Sequence, residues 1–273
     1  MTVKIAYLGP PGTFSEEAAA RIAEKAELDG ELAAYATIVD CAEALEDQVV
    51  DYAVVPLENS LEGSVHDTLD VLITSLGLSI LAELVLDIQH HLLVASDAEI
   101  VRVYSHPQAL AQCRRFLRRT LPAAEMVPVL STAEAAAIVA KEKGGSAAIS
   151  SKRAATRYGL DVAKASIQDS GSRTRFIVLG RDRDSFAKPQ KTSVLFAVKN
   201  EAGSLFRVLQ AFAVHQVNLT RIESRPAKSQ LGEYLFFVDL DGTPSDQSVK
   251  TALREVVGEA MMLKLLGSYP VLT

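Results

Sequence analysis

Over its first 160 residues the chain alternates strand-like, β-branched runs with amphipathic helical stretches. KIAYLG precedes SEEAAARIAEKA, YAVVPL precedes SVHDTLDVLITS, VRVYS precedes PQALAQCRRFLRRT, EMVPVL precedes TAEAAAIVAKEK, and SAAIS precedes SKRAATRY. Such alternation predicts βα units around mostly parallel sheet, with binding groups at the carboxyl ends of the strands. LSILAELVLDIQHHLLVAS has no helical period and reads as strands crossing between two halves of the sheet system, which predicts two lobes with a cleft. RDRDSFAKPQ (181–190) is polar and broken by Pro189, so a linker is expected at 183–190, after a first domain spanning 1–182. Residues 191–273 read strand, helix, strand, strand, helix, strand, the βαββαβ ferredoxin-like plan. A chain of 273 residues suits two compact units.

The formal net charge is −6, which argues against nucleic acid as a partner, because neutralising phosphates takes clustered Lys and Arg. The one basic cluster, Arg114, Arg115, Arg118 and Arg119, lies opposite Leu110, Cys113 and Leu117 on a helix and reads as a solvated face. Two cysteines in separate helix-like segments read as reduced thiols. The start of the chain runs directly into a strand pattern, and the longest apolar stretch is too short to span a bilayer, so a cytoplasmic location without membrane contact is expected.

Several polar loops follow strands. In GPPGTFSEEAA (9–19) a helix opens with Ser15 as a candidate N-cap and Glu16 and Glu17 in its first turn; such a terminus can hold a carboxylate or phosphate. The spacing is not that of a nucleotide loop. VPLENSLEGSV (55–65) gathers Asn59 and Ser60, which can donate to an anion, beside Glu58 and Glu62, which must stand back from one. Ser64 and Asp67 have the spacing of a helix start, as do Ser131 and Glu134. Pro107 suits a first helical position, and Gln112 lies on one helical face with Gln108, pointing toward a cleft. Ser150 and Ser151 end another strand, where capping is the expected role.

The five histidines have no metal-ligand spacing, so no metal is expected. Adjacent His90 and His91 in an extended stretch face opposite ways. No GxSxG nucleophile elbow occurs. In SRTRF (172–176) Thr174 offers a short rigid hydroxyl, Arg175 a carboxylate clamp and Phe176 an aromatic wall.

Taken in order, GPPGTFS, VPLENSLEGSV, SHPQALAQC and SRTRF resemble the prephenate dehydratase family over the whole first domain, and GSLFRVL (203–209) and IESRPAK (222–228) resemble the phenylalanine-binding motifs of its ACT regulatory module. The resemblance implies an α/β fold, a two-lobed periplasmic-binding-protein-like catalytic domain plus a C-terminal ferredoxin-like βαββαβ ACT domain at 191–273. It implies conversion of prephenate to phenylpyruvate, water and carbon dioxide, with no cofactor and with L-phenylalanine as allosteric effector. It implies Thr174 as the catalytic group, with Asn59, Ser105 and Gln112 around the substrate, and the chemistry of the loops and strand end adds Thr13, Ser15, Ser60, Arg175 and Phe176 as expected substrate contacts. For the effector it implies Gly203, Ser204, Leu205, Asn218, Leu219 and a Glu223-Ser224-Arg225-Pro226 turn, shared across subunits of a homodimer or homotetramer joined through the ACT domains. Two positions depart from the family pattern: Ser172 stands where Asn is usual, and Gly203-Ser204-Leu205 replaces Gly-Ala-Leu.

Because the substrate aromatises once its ring carboxylate and hydroxyl leave, the enzyme must mainly ease departure of the hydroxyl, and Thr174 is expected to hydrogen-bond or protonate that oxygen. A cation paired with the ring carboxylate would resist loss of carbon dioxide, so Arg175 is expected at the side-chain carboxylate or as a shaping residue. The alternatives are an arogenate dehydratase and a non-catalytic amino-acid-sensing protein on the same fold.

Overall fold

A computed structural model describes residues 2–181, 186–227 and 234–273. In chain order its elements are β1 (Val3–Leu8), α1 (Phe14–Lys25), β2 (Gly30–Tyr35), α2 (Ile38–Glu46), β3 (Tyr52–Asn59), β4 (Gly63–Ser64), α3 (His66–Thr74), β5 (Ser79–Ile88), β6 (His91–Val94), β7 (Arg102–Ser105), α4 (Pro107–Gln112), α5 (Arg114–Thr120), β8 (Glu125–Pro128), α6 (Thr132–Glu142), β9 (Ser146–Ser150), α7 (Lys152–Tyr158), β10 (Asp161–Lys164) and β11 (Ser172–Gly180). There follow β12 (Lys191–Ala197), α8 (Ser204–Val214), β13 (Leu219–Pro226), β14 (Tyr234–Asp241), α9 (Gln247–Glu259), β15 (Met262–Tyr269) and β16 (Val271–Leu272). The chain divides into two compact units, Met1–Leu69 with Val85–Phe176, and Asp70–Leu84 with Ile177–Thr273.

The first unit contains two lobes, each a sheet with helices. In one, β1 lies between β2 and β3 in parallel, β11 follows β3, and β4 folds back antiparallel on β3. Its helix α1 turns Ala18, Ala19, Ile22 and Ala23 inward at helical spacing. In the other, the order β10-β6-β9-β7-β8 mixes parallel and antiparallel pairs, because the chain enters along β6 from the first lobe rather than through a helix. Strand alternation loads both its faces: Leu92, Val94, Val103, Ala147 and Ile149 pack on Cys113 and Leu117, whereas Leu93, Tyr104 and Ala148 pack on Ala135, Val139 and Ala155. The stretch expected as one helix over 107–120 breaks at Cys113 (φ −108°, ψ 13°) into α4 and α5; the four arginines around it are exposed. The pair β2 and α2 was not singled out by its sequence pattern.

In the second unit β12, β13, β14 and β15 form an antiparallel sheet in the order β13-β14-β12-β15, and α8 and α9 cover one face with Val208, Phe212, Val249, Ala252 and Val256 against Val194, Phe196, Val238 and Leu240. This is the ferredoxin-like arrangement read from the sequence. Short β16 pairs in parallel with Glu83 and Leu84 of β5. Glu223 to Pro226, expected within a strand over 218–227 and also as a turn beside the effector, complete β13 as the strand reading has it, paired with Phe237 to Tyr234, so Glu223 and Arg225 face one way and Ser224 and Pro226 the other. Of the linker expected at 183–190, residues 183–185 lie outside the described residues, as does Lys228 of the IESRPAK motif. No helix among the described residues is long and apolar enough to cross a membrane.

Candidate active site

Between the two lobes of the first unit lies a cavity of about 990 Å³. The first lobe lines it with the loop after β1 (Leu8 to Ser15), the end of β2, Pro56 and Asn59 of β3, and Thr174 and Phe176 of β11. The second contributes His90, α4 with its cap His106, the start of α6 and Tyr158. Strand carboxyl ends and helix starts therefore converge on one space, the arrangement that gathers anion-binding N–H groups.

Thr174 is 8% exposed. Its Oγ1 accepts a hydrogen bond from Asn59 Nδ2 at 2.9 Å, and the same nitrogen donates to Ser172 Oγ at 3.1 Å. Asn59 Oδ1 in turn accepts the backbone N–H groups of Leu61 at 2.9 Å and Glu62 at 3.3 Å, so the amide cannot flip without losing both faces of its network. Because Thr174 Oγ1 is the acceptor in this bond, its own proton is not used by Asn59. Ser172 thus serves as the second anchor of Asn59.

The strand period of two separates the members of the SRTRF motif. Ser172, Thr174 and Phe176 share the cavity face of β11, and Arg175 points to the other side. There its buried guanidinium lies 3.9 Å from Glu58 Oε1. Arg175 does not line the cavity, so the expected carboxylate clamp is corrected to a group that braces the end of β3. Ser60 is likewise not among the residues lining the cavity: its N–H donates to Arg173 O at 2.8 Å and its Oγ accepts Arg173 N–H at 3.0 Å, tying the loop after β3 to β11. Ser105 is fully buried and donates to Ile149 O at 2.7 Å, a link between β7 and β9 away from the cavity. Thr13, Ser15, Asn59, Gln112, Thr174 and Phe176 do come together on the cavity wall.

The helix start is also corrected. Thr13, not Ser15, caps α1, accepting Glu16 N–H at 3.3 Å, and Ser15 lies inside the first turn. Ser131 caps α6 and Ser151 caps α7 as their sequence positions suggest. Ser64, expected near a helix N-cap, falls in β4, and α3 begins at His66.

The loop after β1 is gripped by the second lobe. Ser151 Oγ donates to Gly12 O at 2.8 Å, and Tyr158 hydroxyl donates to Pro11 O at 3.1 Å. Glu16, buried beneath, accepts Gly12 N–H at 2.5 Å, Arg153 at 3.0 Å and faces Arg157 at 3.5 Å. Burial alone would raise the Glu16 carboxyl, but the Arg153 bond, the Gly12 N–H and the two positive charges outweigh it and hold the group below the ordinary carboxylate range. Gly12 sits at φ +96°, and a Cβ there would press on Tyr158, Ala133 and Ala154 within 3.4 Å, so glycine is required by both conformation and space. Glu16 read from sequence as a dipole partner; its ion pairs with residues 137 and more positions away carry no local signal.

No Lys or Arg is among the described residues lining the cavity; its ionisable groups are His90, His106, Glu134 and tyrosines. His90 is 4% exposed, and burial, only partly opposed by its bond to Gln112, pushes its imidazole below the ordinary value. His91 faces away and accepts Ser166 N–H at 3.2 Å, as adjacent residues in an extended segment must. His90, Phe14 and Tyr158 were not anticipated as cavity residues; a lone aromatic or histidine in an apolar run gives no periodic signal of what it will face.

In the second unit, Gly203 caps α8, Ser204 Oγ accepts from Arg207 at 3.1 Å, and Leu205 and Leu219 pack on the apolar core. Asn218 Nδ2 donates to Asp241 at 2.7 Å, Glu223 lies 3.7 Å from Arg221, and Arg225 donates to Asp70 at 2.8 Å.

Comparison with known proteins places the chain among similar sequences and folds. The prephenate dehydratase family profile matches residues 5–184, and the ACT domain profile matches residues 192–258. A bifunctional chorismate mutase/prephenate dehydratase of Aquifex aeolicus is 43% identical over 274 residues, covering 98% of this chain and 74% of that protein. The prephenate dehydratase of Lactococcus lactis subsp. cremoris is 38% identical, covering 98% of both chains. Among solved structures, prephenate dehydratase from Arthrobacter aurescens in complex with L-Phe superposes with a TM-score of 0.89 at 34% identity, over 98% of this chain and 90% of that one. GqqA, described as a novel type of quorum quenching acylase, superposes with a TM-score of 0.88 at 28% identity over 98% of each.

Proposed function

The chain belongs to the prephenate dehydratase family, and on that premise we propose that Thr174 is the group that eases the ring hydroxyl from prephenate as it becomes phenylpyruvate, water and carbon dioxide. The observation that carries the assignment is the Asn59 amide donating to Thr174 Oγ1 at 2.9 Å. With that lone pair engaged, the threonine proton is available to the departing oxygen, where a hydrogen bond that strengthens as C–O cleavage proceeds lowers the barrier. The C–O electron pair leaves with the oxygen, the carboxylate's C–C pair moves into the ring, and the proton that completes water is replaced from solvent.

A cavity without lining Lys or Arg supports the same division of labour. A ring carboxylate left without a strong cation is free to depart as carbon dioxide, and the pyruvyl carboxylate can be held by N–H groups at the starts of α1 and α6, aided by Gln112, while the Thr13 hydroxyl, which donates to Leu8 O at 3.2 Å, fixes the start of α1. Acyl hydrolysis at this threonine would need a base beside the hydroxyl, and the neighbour of Thr174 is an amide donor, which favours elimination.

We further infer a catalytic domain at 1–182, a linker at 183–190 and a regulatory ACT domain at 191–273, acting in the cytoplasm as a homodimer or homotetramer joined through the ACT domains. L-Phenylalanine is the effector, bound around Gly203 to Leu205, Asn218, Leu219 and the Glu223 to Pro226 stretch; a relative's complex with L-Phe supports this reading. The test is phenylpyruvate formation by the purified protein with and without phenylalanine, beside Thr174→Ala. The variant is expected to lose about 10²–10⁴ in kcat with KM little changed; a loss confined to KM removes Thr174 from the chemistry. Absence of saturable phenylalanine binding in equilibrium dialysis removes the effector.

A further inference from the structure

His90 sits where the chain crosses from β5 to β6, and its backbone is held on both sides: its N–H donates to Gln168 Oε1 at 3.1 Å and its carbonyl accepts Ile167 N–H at 2.8 Å. Its ring meets Phe14 edge-on, with centroids 5.6 Å apart, and its Nε2 lies 3.1 Å from Gln112 Oε1. Its Nδ1 is buried with no hydrogen-bond partner among the described residues.

Three protonation states compete. The imidazolium and the Nδ1–H tautomer both place a proton on a buried atom with nothing among the described residues to accept it, which is unfavourable and more so when the ring is charged. The Nε2–H tautomer leaves only an acceptor unfilled, which folded proteins tolerate better than an orphaned donor. A donor at Nε2 in turn requires that the atom of Gln112 facing it be the carbonyl oxygen. The terminal amide torsion of glutamine is soft and its two ends are nearly the same size, so nothing in shape alone would choose.

We propose that His90 is a positioning residue: by donating Nε2–H to Gln112 Oε1 it fixes the Gln112 amide with its NH₂ group turned to the cavity, as a pair of donors for an anionic oxygen of the substrate. This rests on the reading of the cavity as the prephenate site. A donor pair suits a carboxylate or keto oxygen and offers no acceptor to an ammonium, so it also favours the keto acid over its amino counterpart.

Two measurements test it. In enzyme carrying ¹⁵N-histidine, long-range ¹H–¹⁵N correlation reads each tautomer, with His90 assigned by its loss in His90→Phe. The expected result is Nε2–H, and an Nδ1–H ring overturns the proposal. In the kinetic arm, Gln112→Ala is expected to raise KM for prephenate about tenfold or more, and His90→Phe, which keeps a ring against Phe14, about two- to tenfold. The double variant should be no worse than Gln112→Ala alone, since the histidine acts only through the amide. Factors that multiply show that His90 acts by another route. If His90→Phe does not fold, as judged by thermal melting, His90→Asn serves both arms. Wild-type protein that forms no phenylpyruvate would instead defeat the functional reading, while the tautomer remains measurable.

Discussion

Exchanging Asn59 for Asp changes one atom group and reverses the direction of a hydrogen bond. In the wild type Asn59 Nδ2 donates to Thr174 Oγ1 at 2.9 Å, and Oδ1 holds Leu61 and Glu62 N–H. A carboxylate keeps the second pair but presents an acceptor to the threonine, which then turns its proton toward the aspartate in a charge-assisted bond worth about 1.5–3 kcal/mol. To serve the departing oxygen that bond must break in the transition state, which corresponds to a loss of about 10- to 150-fold in kcat. Asn59→Ala removes the donor but leaves the hydroxyl a free rotor, so its loss should be smaller, about 2- to 10-fold for a net 0.5–1.5 kcal/mol. The added charge also repels a dianionic substrate, so initial rates of phenylpyruvate formation are compared at saturation, with thermal melts to confirm folding. An Asn59→Asp kcat equal to or above that of Asn59→Ala would refute the idea that Thr174 works by donating its proton.

Gly267→Ala should destabilise the protein by about 3 kcal/mol or more and lower Tm by about 6–12 °C, because a Cβ would stand 2.2 Å from Ile80 O at φ +154°; a calorimetric scan within 2 °C of wild type contradicts this. Glu16→Gln should lower Tm at neutral pH, and the difference should shrink on acidification: the folded carboxyl lies below its unfolded value of about 4.3, so its stabilisation is present above that value and lost as pH falls through the folded one. A Tm difference that persists unchanged at pH 2–3 would show that the ion pairs with Arg153 and Arg157 are not its source. Burial, with Asp40 beside Cys41 and Asp169 beside Cys113, pushes both thiols up to about 12, so iodoacetamide at pH 8 should label neither until the chain is unfolded, as read by mass spectrometry.

Much of the architecture was legible because its signals are local. Strand and helix periods, the capping serines 131 and 151, and the βαββαβ order of the last 80 or so residues each depend on neighbours within a few positions, where backbone sterics and hydrogen bonding act directly. Even the side of β11 taken by Arg175 was written in its spacing from Thr174, since residues one apart on a strand face opposite ways; chemistry alone had suggested a clamp. The family motifs, read in order, identified Thr174 and Asn59 as members of one site.

What the amino-acid order determined by itself is which segments become strands and helices and which polar residues stand at their ends. Only the tertiary structure decided that Asn59 meets Thr174, 115 positions away, that Glu16 pairs with Arg153, and that His90 Nε2 comes to lie beside Gln112 Oε1. The physical reason is that a hydrogen bond specifies a donor and an acceptor but not their separation along the chain. That choice is made when packing of the apolar faces brings distant strand ends to one cavity.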